Sequence, residues 1–222
     1  MTDRHPLVLE ARLDEPLSRW LWIVKWVLAI PHFVVLIGLW IAFAVVTLVA
    51  FVARLFTGRY PRGMFEFTVG VLRWTWRVQA YACGPLSTDR YPPFTLADVP
   101  DYPARLRMEY PEGPGRRGLP LIGWWLLGIP QYVIAGLIAG GWGAQASVAG
   151  IVVLVAVVLL AVTGTYRPAL FELVIGLNRW AMRTTAYAAL MTDVYPPFRL
   201  DPGGMEPVPG GPAPMPPGAA PA

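Results

Sequence analysis

The stretch Gly63 to Tyr81, GMFEFTVGVLRWTWRVQAY, occurs a second time as Ala169 to Tyr187, ALFELVIGLNRWAMRTTAY. Under a shift of 106 the pairs Phe65/Phe171, Glu66/Glu172, Gly70/Gly176, Arg73/Arg179, Trp74/Trp180, Arg77/Arg183, Ala80/Ala186 and Tyr81/Tyr187 are identical. A repeat of this length marks internal duplication, so the chain reads as two tandem units. A second shared block follows each copy: Thr88-Asp89-Arg90-Tyr91-Pro92-Pro93-Phe94 and Thr192-Asp193-Val194-Tyr195-Pro196-Pro197-Phe198. There the shift is 104, so copy one carries two extra residues in the Gly84-Pro85 region.

Hydrophobic residues make up 55% of the chain and charged residues 14%, well under the usual quarter for soluble domains. With ten tryptophans this is a membrane composition. The formal charge of +4 comes from arginines near apolar segments, which suits anionic cytoplasmic lipid. Nothing resembles a basic nucleic-acid module. The single cysteine, Cys83, excludes an internal disulfide and a cysteine-built metal site. Its counterpart in copy two is Ala189, so a small packed residue is expected there. The segment before Trp20 holds acids and prolines, and the apolar run that follows is too long for a signal-peptide core. That run is expected to act as an uncleaved anchor.

Leu7 to Leu13 and Ala104 to Tyr110 alternate in polarity and read as short strands. Pro93 to Leu96 and Pro197 to Leu200 offer themselves as partner strands in a small sheet at the membrane surface. The run from Trp20 to Phe56 has only Lys25 and Arg54 as charged residues. As a single helix it would be about 55 Å long, nearly twice a bilayer core. Two short helices joined near Gly38 fit that core better. In copy two the apolar segments Leu119 to Ala139 and Val148 to Val162 flank an overt turn, Gly140 to Gln145. Ile30-Pro31 and Ile129-Pro130 place a proline in the first helix of each hairpin. Residues 201–222 are mostly Pro, Gly and Ala and are expected to form a disordered tail. The units are therefore 1–98, 99–200 and the tail.

On a helical wheel with Glu66 at the origin, Arg73 falls at about 340°, Arg77 at about 20° and Gly70 at about 40°. One narrow stripe thus carries Glu66, Arg73 and Arg77, and copy two repeats it as Glu172, Arg179 and Arg183. Such a helix can lie in the membrane interface with its charges toward headgroups, or cross with arginines facing a bundle. The hairpin tips near Gly38 and Gly140 to Ser147 hold no Lys or Arg. The interfacial placement keeps the basic residues on one side and satisfies the positive-inside rule. It predicts four crossings, cytoplasmic termini and parallel repeats, whereas three crossings per repeat would invert them. The stripe is either a solvated or headgroup-binding face, or it pairs across the repeats. In the second case Glu66 would meet Arg179 or Arg183, and Glu172 would meet Arg73 or Arg77.

No phosphate-binding loop, dinucleotide fingerprint, zinc motif or serine triad is present. His32 becomes Gln131 in copy two, so it reads as a hydrogen-bonded helix residue rather than a ligand or base. Asp89 and Asp193 read as turn caps and Lys25 as a snorkelling interfacial residue. No catalytic, cofactor-binding or metal-binding residue is identified.

The segments AIPHFVVL, LFTGRYPRGMFEFTVGVLRWTWRVQAY and TDRYPPFTL resemble the bacterial membrane-protein family catalogued as domain of unknown function 4389 (DUF4389). The resemblance spans about residues 7–96 and again 103–200. Copy two departs at residues 164–169, where Gly-Thr-Tyr-Arg-Pro-Ala stands for the Gly-Arg-Tyr-Pro-Arg-Gly of copy one. The resemblance implies a membrane location and nothing catalytic.

The expectation is an all-α integral protein of the cytoplasmic membrane, multi-pass, with two repeats of hairpin plus amphipathic helix and short extended flanks. The expected role is non-enzymatic and structural, with membrane lipid as partner, anionic lipid included, no nucleic acid and no cofactor. The alternative is a small transporter or channel subunit using the paired Glu/Arg stripes.

Overall fold

The computed structural model describes residues 5–14, 17, 18, 20–112, 128–131, 133, 148–163, 165–198, 200 and 201. The turn 140–145, most of the segment 119–139 and the tail from 202 onward lie outside the described residues. In chain order come β1 (Leu7–Ala11), α1 (Leu21–Thr57), α2 (Arg62–Val78), a π-turn (Gln79–Cys83), β2 (Ala104–Met108), α3 (Val148–Thr163) and α4 (Pro168–Ala188).

The two strands pair with each other, antiparallel, with Leu9 opposite Leu106 at the centre. The segments 93–96 and 197–198 are not strands. A partner for each strand therefore comes from the equivalent strand of the other repeat. α2 packs on β2, α4 packs on β1, α1 packs on α2 and α3 packs on α4. The order is three layers: sheet, then α2 with α4, then α1 with α3.

α1 corrects the expectation of a hairpin inside residues 20–56: it is one continuous helix of 37 residues. Gly38 lies on its outer face with nothing near it, so the glycine makes no turn. The reason is the inward stripe. Lys25, Ala29, His32, Leu36, Phe43, Ala50 and Arg54 are buried at alternating spacings of three, four and seven, which holds one helical face against the layer beneath. A break at Gly38 would take Leu36 and Trp40 off α2, where Leu36 packs on Trp74 and Trp40 donates to Thr75 at 3.2 Å. The real hairpin is α1 with α2. Gly58, at φ 72°, closes α1 in the left-handed conformation and donates its N–H to Arg54 O. Pro61 then caps α2, as Pro168 opens α4. Behind each turn a buried tyrosine sets its ring edge-on to a phenylalanine, Tyr60 on Phe65 and Tyr166 on Phe171.

The two-residue length difference between copies is absorbed after α2. Residues Gln79–Cys83 widen into a π-turn, whereas α4 stays α-helical to Ala188. Both chains then reach the same buried leucine at positive φ, Leu86 at 49° and Leu190 at 59°. Cys83, expected to be packed, is exposed at the rim of this turn.

Gly70 and Gly176 let the segment after each helix cross its surface. A Cβ at Gly70 would lie 2.8 Å from Leu96 Cβ and 3.2 Å from its carbonyl oxygen, but at Gly176 the nearest atom is 3.5 Å away. Gly70→Ala should therefore cost about 1–3 kcal/mol through overpacking. Gly176→Ala should be neutral or gain up to about 1 kcal/mol from helix propensity. Thermal unfolding of the two variants checks this; equal losses would show that the repeats pack alike.

Candidate functional site

The candidate site is the seam where the arginines of α2 and α4 meet the sheet. Hydrogen bonds from Arg12 N to Pro103 O and from Glu109 N to Pro6 O set the ladder. In that alternation the carbonyls of Leu9 and Leu106 point away from the opposite strand, toward the open sheet edges. Arginine covers both. Arg73 donates from Nε to Leu106 O at 3.1 Å and from Nη1 to Leu96 O at 3.0 Å. Arg179 donates to Leu9 O from Nη2 at 2.8 Å and from Nε at 3.2 Å, and to Asp201 O. Each arginine thus serves a strand that belongs, by sequence, to the other repeat. Trp76 adds a bond from Nε1 to Glu10 O at 3.1 Å, tying α2 to β1 as well.

The second arginine of each stripe fixes the segment that follows its helix. Arg77 donates to Thr95 O, and Arg183 pairs with the Asp201 carboxylate at 2.6 Å. Arg77, Arg179 and Arg183 are buried, so these three arginines offer neither a solvated nor a headgroup-binding face. Burial, and then the nearby Arg73, push the Arg77 guanidinium down to about 10, so it stays charged at neutral pH. The stripe is used across the repeats, but its acceptors are main-chain oxygens and Asp201 instead of glutamate. Glu66 is exposed and Glu172 half-buried, and neither forms an ion pair among the described residues.

A second set of charges was misplaced by sequence reasoning. Lys25 does not snorkel: it is buried, 2.6 Å from Asp89 and donating to Thr88 O at 2.7 Å. Arg54, near the other end of α1, pairs with Asp193 and donates to Leu190 O. Asp89 and Asp193 are therefore ion-pair partners, and Asp89 also accepts from Ser18 N at 2.9 Å. The turn-capping role falls to Thr88 and Thr192, whose hydroxyls accept from the N–H groups two residues on. The available signal was that Lys25 and Arg54 are the only charges in a long apolar run, while both aspartates recur.

His32 accepts from Trp74 Nε1 through Nδ1 at 3.1 Å and stacks on Phe94 with ring centres 3.9 Å apart. In copy two Gln131 donates to Pro196 O at 2.9 Å instead. Both residues pin the Tyr-Pro-Pro-Phe segment to its helix.

The repeat marker and the Tyr-Pro-Pro-Phe segments are thus one packing unit, which is what a family profile records. The model of a family described as a domain of unknown function (DUF4389) matches residues 19–95 and 125–199. The chain belongs to that family, with two tandem copies. No curated protein and no solved structure matches it. The DUF4389 repeats of this chain carry their shared arginines at the seam just described.

An open cavity of about 920 Å³ lies between α2, the end of β2 and the turn after α4. Arg62, Glu66, Arg73, Glu109, Glu112 and Asp193 are among its walls, but Glu172, Arg179 and Arg183 are not. Among the described residues no three His, Cys, Asp or Glu side chains gather as a metal site.

Two predictions test the seam. Arg179→Gln should cost about 2–3 kcal/mol, since a buried charged donor to Leu9 is lost. Glu66→Gln should change stability by no more than about 0.5 kcal/mol, as expected at an exposed, unpaired position. Chemical unfolding of both variants decides; a large loss for Glu66→Gln would restore the glutamate to the seam.

His5 gives the seam a pH dependence. It is buried, accepts from Leu7 N at 3.1 Å, and burial followed by the field of Arg183 lowers its imidazole from the ordinary 6.5 to about 4. The unfolded chain therefore takes up the proton first as pH falls. Stability is full above about 6.5 and declines toward 4, by roughly 3 kcal/mol at 1.36 kcal/mol per unit. His5→Asn should flatten that limb of the stability curve between the two pH values.

Proposed function

We propose that this protein is a non-enzymatic structural or interaction protein of the cytoplasmic membrane, with anionic phospholipid as its first partner. The observation that carries the reading is the outer surface of α1. Trp26, Val34, Ile37, Ile41, Leu48 and Phe56 stand exposed around a helix whose two charges are turned inward. A soluble protein would bury such a helix on most sides, and an exposed apolar patch of this extent marks a lipid or protein contact. α3 has a similar surface in Ile151, Leu154, Val158 and Val162. Among the described residues, the stretch Val24–Thr57 is the one long and apolar enough to cross a bilayer.

Because α1 is one continuous helix, residues 20–56 do not form a pair of membrane passes. A transport path between the two stripes has no support, because both arginine pairs are engaged with backbone carbonyls and Asp201. Their positions support a role in holding the two repeats together. Among the described residues, the sheet side offers polar surface to partners, with Arg107 paired to Glu10 at 2.9 Å and Arg105 to Asp98 at 2.6 Å.

The test is extraction. The full chain, expressed in bacterial cells, should stay in the membrane pellet through high salt and through alkaline carbonate. Release by salt alone would leave only a peripheral, electrostatic attachment, and recovery in the soluble fraction would end the membrane reading.

A further inference from the structure

We propose that the protein is embedded in a single leaflet, with α1 lying along the plane of the membrane and the sheet standing in water above it. This rests on the membrane reading and adds the orientation. At about 1.5 Å per residue, Lys25 and Arg54 are about 43 Å apart along α1. Both are tied to the layer beneath the helix, Lys25 to Asp89 and Arg54 to Asp193. Between them the buried stripe keeps α1 on that layer over its whole length. If α1 stood upright across the bilayer, α2 and the sheet would be carried into the hydrocarbon with it.

The sheet cannot go there. Charges flank both strands: Arg12, Asp101 and Glu109 stand exposed at their ends. The sheet's outer face adds Arg107, exposed, and Glu10 and Arg105, half-buried, in the pairs Arg107–Glu10 and Arg105–Asp98. Exposed charges do not sit against lipid tails. Water on the sheet side and lipid on the α1 side must therefore meet along the length of the helix, not across it.

Charge and shape agree with an anionic leaflet as the occupant. Arg59 and Arg62 follow α1 and Arg167 follows α3, and all three are exposed. Each sits where an apolar helix turns back, at the depth where phosphates lie in this orientation. Trp20 and Trp26, also exposed, occupy the other end of α1, as interfacial tryptophans do. On the same side a cleft of about 640 Å³, lined by Phe33, Ile37, Ile41, Ala44 and Val78, opens between α1 and α2. Its apolar walls fit an acyl chain.

Val27, Val34, Ile41 and Leu48 are spaced by seven on one face of α1 and are 63, 65, 63 and 65% exposed. They span about 31 Å of helix. Each is replaced singly, as Val27→Cys, Val34→Cys, Ile41→Cys or Leu48→Cys, in the full chain with Cys83→Ala. Each variant is spin-labelled in vesicles of equal parts phosphatidylethanolamine and phosphatidylglycerol. Depth is read from oxygen against nickel-chelate collisions, and circular dichroism checks that each variant folds. The single-leaflet arrangement predicts one common depth at all four sites. A profile that dips through the middle of the bilayer, about 15 Å below its ends, means that α1 crosses, and it overturns the proposal while leaving the membrane reading intact. Water accessibility at all four sites overturns both. Strong dipolar broadening between copies without lipid contact means that a second copy covers the face, which also overturns it.

Discussion

A guanidinium on a strand carbonyl is the interaction on which the rest of this structure depends. A two-stranded sheet is marginal on its own, and its outward carbonyls need donors wherever it is covered. Arg73 supplies Leu106 and Leu96 together, and Arg179 supplies Leu9 and Asp201. The fixed fork of arginine reaches two acceptors at once, which a lysine ammonium on its flexible stem does less well. Each arginine reaches into the other repeat, so neither repeat completes its own layer. Leu9 and Leu106 face each other at the centre of the register, which puts the pseudo-twofold of the duplication through the sheet.

The duplication is not a perfect copy, and the differences lie where one repeat must do something the other does not. α1 is clamped at both ends, by Asp89 of its own repeat and by Asp193 of the second. Both bonds hold buried cations, and a buried charge keeps its place only when paired. Asp201 answers Arg183 with a carboxylate, while Thr95 answers Arg77 with a carbonyl. Gly70 sits under a tight crossing and Gly176 under a loose one. The π-turn after α2 absorbs the extra residues of copy one before both chains converge on Leu86 and Leu190.

Much of this architecture could be read from the residues. The amphipathic helices and both short strands followed from periodicity, and membership of the family in two tandem copies followed from the quoted segments. The strand partners did not, because Pro93 to Leu96 and Leu7 to Ala11 are equally suited to extended pairing. The continuity of α1 was also hidden. Length argued for two passes of a bilayer, and that argument assumed that the helix stands across the membrane. Lys25 read as snorkelling because an apolar run offers a cation no visible partner; the partner, Asp89, sits in a turn beyond the end of the next helix.

Composition and the repeat settle what kind of layers this chain makes: one apolar face, one arginine-bearing face and one strand, each present twice. A wheel angle says which residues share a side of a helix. It does not say what that side touches, because a carbonyl is present at every residue and leaves no trace in the pattern of side chains. Whether Arg73 and Arg179 would meet water, a phosphate, a glutamate or a backbone oxygen depended on where the two strands came to rest. Antiparallel pairing of β1 with β2 brought Leu9 and Leu106 over the two helices and turned a stripe of charge into the seam that joins the halves.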